Sequence, residues 1–116
     1  MNRRHAEQRG RAGETAAAWW LRFQGWRIVA RRVKTPMGEV DLVAKRGRTV
    51  AFVEVKTRAT SAELDVAIDR HRLTRVAAAA NALAPRFARN GEDIRIDVLL
   101  LAPWRMPRHI ANAWHG

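Results

Sequence analysis

The sequence predicts one α/β domain, a mixed β-sheet flanked by helices in the order α-β-β-β-α-β. Two amphipathic runs at helical spacing, three period-2 runs bounded by Gly-containing turns, and a final run that is apolar on both parities carry that prediction. The 116 residues, 47% hydrophobic and 28% charged, suit a single compact core of ordinary composition.

Residues 1–12 are polar and Arg-rich, are interrupted by Gly10, and read as a basic arm or a weak first helical turn. From Gly13 onward Ala16, Ala17, Trp20 and Leu21 recur at helical spacing. Gly25 follows where the residue after a helix is expected, which predicts a helix over about 13–24. Trp26, Ile28 and Ala30 alternate with Arg27, Val29 and Arg31, a strand over about 26–32 that stops before the turn formers Thr35-Pro36-Met37-Gly38. Val40, Leu42 and Ala44 then alternate with Glu39, Asp41 and Val43. Lys45-Arg46-Gly47-Arg48 breaks the run and Thr49 to Lys56 resumes it, the strongest hairpin signal in the chain.

Residues 57–61 read as loop, and 62–68 as either loop or an early helical turn. Asp69 is placed to cap a helix over 69–84, with Leu73, Val76, Ala77, Ala80 and Leu83 as one apolar stripe and Pro85 as its stop. Ile94 to Leu101 reads as an interior strand covered on both faces. Residues 102–116, with two Pro and two Trp, read as an irregular tail of the single domain 1–116.

Twenty-two Lys and Arg against eleven Asp and Glu give a net charge of +11, which points to a polyanionic partner, nucleic acid first. The absence of Cys excludes disulfides and thiolate zinc sites, and the four His residues are scattered. Any metal must therefore sit on oxygen ligands. No apolar run reaches the ~18 residues of a membrane span and no secretory pattern follows Met1, so a cytoplasmic location and no membrane partner are expected.

The segments that carry chemistry are Gly38-Glu39-Val40-Asp41-Leu42 and Glu54-Val55-Lys56. Strand periodicity sets Glu54 and Lys56 on one face, about 7 Å apart. A turn centred on Arg46-Gly47-Arg48 gives partner positions summing to 94 or 95, which sets Asp41 opposite Val53 or Glu54. Only the second register, or a bulge, brings both carboxylates to one face, with Cβ atoms roughly 5 Å apart. Two such carboxylates repel unless a cation lies between them. Oxygen-only ligands favour Mg²⁺, with Mn²⁺ as a substitute. Only three of the basic residues are Lys, so a Lys at position 56 suggests a need for a compact, tunable ammonium. The bland alternative is a solvated Glu-Lys pair on one strand face.

These residues, with Gly13-Glu14, Ala16-Ala17, Gly25-Trp26-Arg27-Ile28, Phe52-Val53-Glu54-Val55-Lys56-Thr57-Arg58 and Arg95-Ile96-Asp97-Val98, resemble the bacterial YraN family over about residues 10–101. The resemblance implies the restriction-endonuclease-like, or PD-(D/E)xK, fold and similarity to archaeal Holliday-junction resolvases. It implies metal ligands at Asp41 and Glu54, a catalytic Lys56, all three forming the catalytic set, and an assisting acid at Glu14. The chain departs from the family pattern at Thr60-Ser61-Ala62-Glu63, which lacks a Phe-Gly, at Arg32 in place of Asn, and at Arg72 in place of Lys.

Taken alone, Glu14 reads as a first-turn charge favoured by the helix dipole, and Glu39, on the strand parity of Asp41, ranks below it as a ligand. Arg32, Lys34, Arg46, Arg48, Arg58, Arg70, Arg72 and Arg75 are the candidate nucleic-acid contacts, tracking phosphates without reading bases. The five Trp read as core or interface rather than as stacking platforms. The leading expectation is a Mg²⁺-dependent nuclease that hydrolyses DNA, selective for branched structure, for which two-fold junctions call for a homodimer. A non-catalytic nucleic-acid-binding protein that keeps the nuclease fold is the alternative. An RNA-binding, ribosome-associated factor is a third reading, and it leaves Asp41, Glu54 and Lys56 without a role.

Overall fold

The computed structural model describes residues 3–58 and 70–114, with residues 3–11 described by their helical backbone only. Helix α1 spans Arg3–Phe23, β1 Arg27–Thr35, β2 Gly38–Arg46, β3 Thr49–Thr57, α2 Arg70–Phe87, β4 Asp93–Leu101 and β5 Arg108–Ile110. The strands form one sheet in the order β1-β2-β3-β4-β5. Neighbours are antiparallel except β3 and β4, which run parallel with α2 in the connection between them. This is the expected mixed α/β architecture with one more strand.

Each helix covers one face. Ala17, Ala18 and Leu21 of α1 pack with Trp26, Leu42, Ala44, Ala51, Val53 and Leu99. Leu73, Val76, Ala80, Leu83 and Phe87 of α2 pack with Val40, Val43, Val50, Phe52, Ile96, Val98 and Leu100. Phe52, fully buried, meets Phe87 edge to face at 6.3 Å between centroids.

Helix α1 ends as its sequence predicts. Gly25 takes φ +92°, its N–H donates to the Arg22 carbonyl, and the Trp26 N–H reaches the Leu21 carbonyl at 2.9 Å. That pattern is a Schellman cap, with Trp26 and Leu21 supplying the accompanying apolar contact. The start of α1 departs from expectation, because the helix covers the supposed basic arm back to Arg3. Arg, Glu, Gln and Ala are good helix formers, so the roughly 1 kcal/mol cost of Gly10 does not break a helix already anchored by its packed half.

Strand β1 runs on to Thr35, because Pro36-Met37 is a two-residue turn. Thr35 Oγ1 accepts from the Met37 and Gly38 N–H groups and donates to the Gly38 carbonyl. Pro85 does not stop α2, which continues to Phe87. The carbonyl left without a donor belongs to Asn81 on the exposed side, where water can serve it, while Phe87 gains burial. Thr57, expected in the loop over 57–61, is the last residue of β3. The rest of that loop after Arg58, residues 62–68 expected as loop or early helical turn, the Asp69 cap and the departure at 60–63 lie outside the described residues.

The tail expected to be irregular supplies β5. Asp97, fully buried, receives Arg95 Nε at 3.0 Å and Nη2 at 2.7 Å, and the Asn112 N–H at 2.9 Å. His109 Nε2 lies 2.7 Å from the same carboxylate. These bonds pin β5 to β4, a constraint that strand periodicity does not express. Trp26 is buried as expected, whereas Trp19 and Trp104 stand out in solvent and join no core. No helix among the described residues is long and apolar enough to cross a membrane.

Candidate metal centre

The β2–β3 hairpin turns at Gly47-Arg48, with Arg46 paired to Thr49 and Leu42 to Val53. Each pair sums to 95, the register that sets Asp41 opposite Glu54 one step further on. The ladder stops there. The Val55 N–H donates at 2.8 Å to Asp41 Oδ2 rather than to a β2 carbonyl, so the strands part at the site and a carboxylate fills the gap.

Asp41 also marks a break in β2. Val40 belongs to the α2-side cluster and Leu42 to the α1-side cluster, although residues two apart in a regular strand share a face. On β1 the register shifts between Ile28 and Ala30, while Arg32, between the pairs Arg31↔Leu42 and Val33↔Val40, has φ +51°. Glu14 of α1, Glu39 and Asp41 bring one carboxylate oxygen each to within 4.8 Å of one another. A divalent cation can span that spacing.

Glu54 lies near enough to Asp41 to act on its charge. It is 1% exposed. Its Oε1 receives both Arg72 Nε of α2 and Lys56 Nζ, the latter at 3.2 Å. Its Oε2 is buried and has no hydrogen-bond partner among the described residues. Glu14 is likewise buried and is paired by Arg32 Nε.

Burial is the largest influence on the Asp41 carboxyl. Together with the Glu54 and Glu14 carboxylates it pushes the pKa up to about 7, against the Val55 N–H and Arg72, which favour the charged form. Burial opposes the charge of Arg72, but Glu54, with Asp41 and Glu39 behind it, more than offsets this and raises its pKa. The site is thus a carboxylate cluster short of positive charge at Asp41. Hard oxygen donors without His or Cys suit Mg²⁺ or Mn²⁺, and the unpaired Glu54 Oε2 is an acceptor awaiting a partner.

The expected phosphate contacts divide by position. Arg32 and Arg72 lie on site carboxylates, and Lys34, Arg70 and Arg75 are exposed on β1 and early α2. Arg46 stacks over Trp26 at 4.3 Å and donates to the Gln24 carbonyl, while Arg48 donates to the Asn90 and Gly91 carbonyls. Both lie at the closed end of the hairpin, with Arg46 five residues and so about 17 Å from Asp41 along β2. Arg58 Nη1 donates to the Thr57 carbonyl beside a cavity of about 510 Å³ lined by Ala12, Gly13, Ala16 and Leu101. Glu39 joins Glu14 and Asp41, on the side that its strand parity with Asp41 leads one to expect. No sequence signal marks Arg32 and Arg72 as counter-ions.

The profile of the uncharacterised protein family UPF0102 matches residues 13–101, a span that contains every site residue named above. The chain belongs to the UPF0102 family. Similar UPF0102 proteins occur in Sphingopyxis alaskensis, 66% identical with 98% of each chain covered, and in Erythrobacter litoralis, 68% identical with the same coverage. A UPF0102 protein of Rhizorhabdus wittichii is 64% identical over 100% of this chain and 99% of its own. The resemblance to YraN proteins in the sequence is thus a family relationship that extends over the whole domain.

Proposed function

We propose that this UPF0102 protein is a Mg²⁺-dependent phosphodiester hydrolase acting on nucleic acid, DNA first. Asp41, Glu54 and Glu14 are the metal ligands in this reading and Lys56 is the catalytic lysine. The observation that carries the reading is Glu54 Oε2, a buried and unpartnered carboxylate oxygen beside an Asp41 whose ionisation the site disfavours. Leaving such an acceptor unpaired costs about 1–3 kcal/mol, which a cation would offset.

The ion would supply Lewis acidity toward a water and toward the phosphate charge. The chain's own residues then have distinct tasks. Glu54 and Asp41 fix the site at the point where β2 and β3 part, and the Asp41–Val55 bond holds the carboxylate in place. Lys56 keeps its ammonium beside Glu54 on the same strand face, where it can stabilise negative charge on the phosphate or exchange a proton with the water. Lys34, Arg70 and Arg75 are exposed along β1 and α2 and suit phosphate contacts, which orient a duplex without reading its bases. Hydrolysis adds water across the P–O bond and leaves a phosphomonoester and a hydroxyl.

The test is nicking of linear, flapped and four-way DNA in Mg²⁺ or Mn²⁺. The proposal expects cleavage that disappears in Glu54→Ala and Lys56→Ala while binding persists. Salt-sensitive binding with no turnover on any substrate would make the protein a binding module instead. Stronger competition by RNA than by DNA would move the substrate class.

A further inference from the structure

We infer that Arg72 is a two-position residue, resting on Glu54 when no divalent cation is bound and on a nucleic-acid phosphate when one is, so that cation and nucleic acid bind cooperatively through it. The inference rests on the metal-site reading above and adds a coupling which that reading does not require.

Three observations lead to it. First, Glu54 Oε1 carries two cationic partners, Arg72 and Lys56, while Oε2 carries none among the described residues. One of the two cations is redundant for pairing Oε1. A divalent ion on Oε2 would place three cationic groups around one carboxylate. Second, the partners differ in freedom. The Lys56 side chain is 15% exposed and the Arg72 side chain 50% exposed. Arg72 therefore leaves at lower cost, since much of its guanidinium already faces water. Third, there is a place for it to go. Arg72, Arg75, Gly38 and Glu39 line a polar cavity of about 200 Å³ between the start of β2 and the first turns of α2. The cavity is large enough for a phosphate group and its water, and Arg75 has no ion pair there among the described residues.

The guanidinium fork makes the second position favourable. It binds phosphate oxygens in a bidentate manner, which a lone Nε–carboxylate contact does not exploit. Because linkage is reciprocal, an ion that frees Arg72 tightens nucleic-acid binding, and nucleic acid that captures Arg72 tightens ion binding by the same factor. In the apo protein Arg72 guards against repulsion among Glu39, Asp41 and Glu54, all of which act on its charge.

The experiment measures affinity for a fluorescein-labelled four-way DNA by anisotropy, in Ca²⁺ and in EDTA at matched ionic strength, with DNA integrity checked on a gel. Mn²⁺ binding to the free protein is followed by electron paramagnetic resonance. For the wild-type chain Ca²⁺ should raise DNA affinity about tenfold, within the ordinary range of coupling between sites. In Arg72→Gln the Ca²⁺ effect should fall below about twofold, while the free protein binds Mn²⁺ at least as tightly as wild type. Arg75→Gln, which lines the same cavity, should weaken DNA binding equally with and without Ca²⁺.

An unchanged Ca²⁺ effect in Arg72→Gln overturns the inference and leaves the metal site standing. Loss of Mn²⁺ binding in Arg72→Gln also overturns it, because Arg72 would then be fixed on Glu54 as a positioning residue. Absence of Mn²⁺ binding to the wild-type chain defeats the metal reading itself. Lys56 still pairs Glu54 in the variant, so it should fold, and circular dichroism verifies this.

Discussion

The Val55 backbone N–H donates to the Asp41 carboxylate at 2.8 Å, so a strand of the sheet gives one of its ladder hydrogen bonds to a site side chain. That bond couples fold to site: β2 and β3 part where Asp41 enters, and the opening is where Glu14, Glu39 and Glu54 converge on it.

Replacing Asp41 by Asn separates the two roles. Asn keeps an oxygen for the Val55 N–H and removes the charge that Glu54 and Glu14 repel. Asp41→Asn should raise the melting temperature of the metal-free protein at neutral pH, by roughly 4–8 °C for each kcal/mol of repulsion relieved. It should also abolish Mn²⁺ binding. Calorimetry with and without Mn²⁺ checks both, and a lower melting temperature in the metal-free variant would contradict the electrostatic argument.

Arg32 combines an ion pair to buried Glu14 with a left-handed backbone at φ +51°. Arg32→Ala loses the pair and keeps the strain, at an expected cost of about 2–3 kcal/mol. Arg32→Gly loses the same pair but relaxes the backbone, and should be about 1 kcal/mol more stable than the Ala variant. Urea denaturation ranks the two, and the reverse order would mean that the strain at Arg32 is negligible.

Gly13 sits where α1 crosses β3, and a Cβ there would lie 2.4 Å from Thr57 Cγ2. Ala normally improves a helix interior by about 1 kcal/mol over Gly. Here the clash should reverse the sign, with Gly13→Ala destabilising by about 1–3 kcal/mol. Thr57→Ser removes the methyl, so the double variant should recover the loss. A coupling energy near zero in that double-mutant cycle would show that α1 shifts freely on the sheet.

Asp97 gives a pH dependence of known sign. Burial alone would raise its pKa, but His109, Arg95 and the Asn112 N–H outweigh burial and hold it at about 2, below the usual 3.8. A depressed carboxyl stabilises the fold above its unfolded pKa and loses that contribution as pH falls through the folded value. The contribution, about 2 kcal/mol, should therefore be full near pH 5 and disappear between about pH 4 and pH 2. Denaturation curves of wild type and Asp97→Asn should converge across that window. A constant gap would assign the stability of this cluster to geometry rather than ionisation.

Much of this was legible in the sequence. The turn at Gly47 and the alternation on either side leave two registers, and the observed one is that which faces Asp41 with Glu54. The cap at Gly25 and the stripe on α2 follow from local rules alone. What was not legible depends on tertiary contacts. The break at Asp41 sends Val40 and Leu42 to opposite faces against strand parity, and Pro85 is carried inside α2 by the packing of Phe87. Strand β5 exists because Asp97 binds residues 12 and 15 positions further along the chain. No periodicity encodes such pairings.

Anomalous scattering from a crystal soaked in Mn²⁺ tests the central claim most directly. A peak about 2.0–2.2 Å from oxygens of Asp41 and Glu54, with Glu14 completing the protein ligands, is the predicted result. A saturating soak that leaves Glu54 Oε2 without an ion, or that places Mn²⁺ away from these carboxylates, would contradict it.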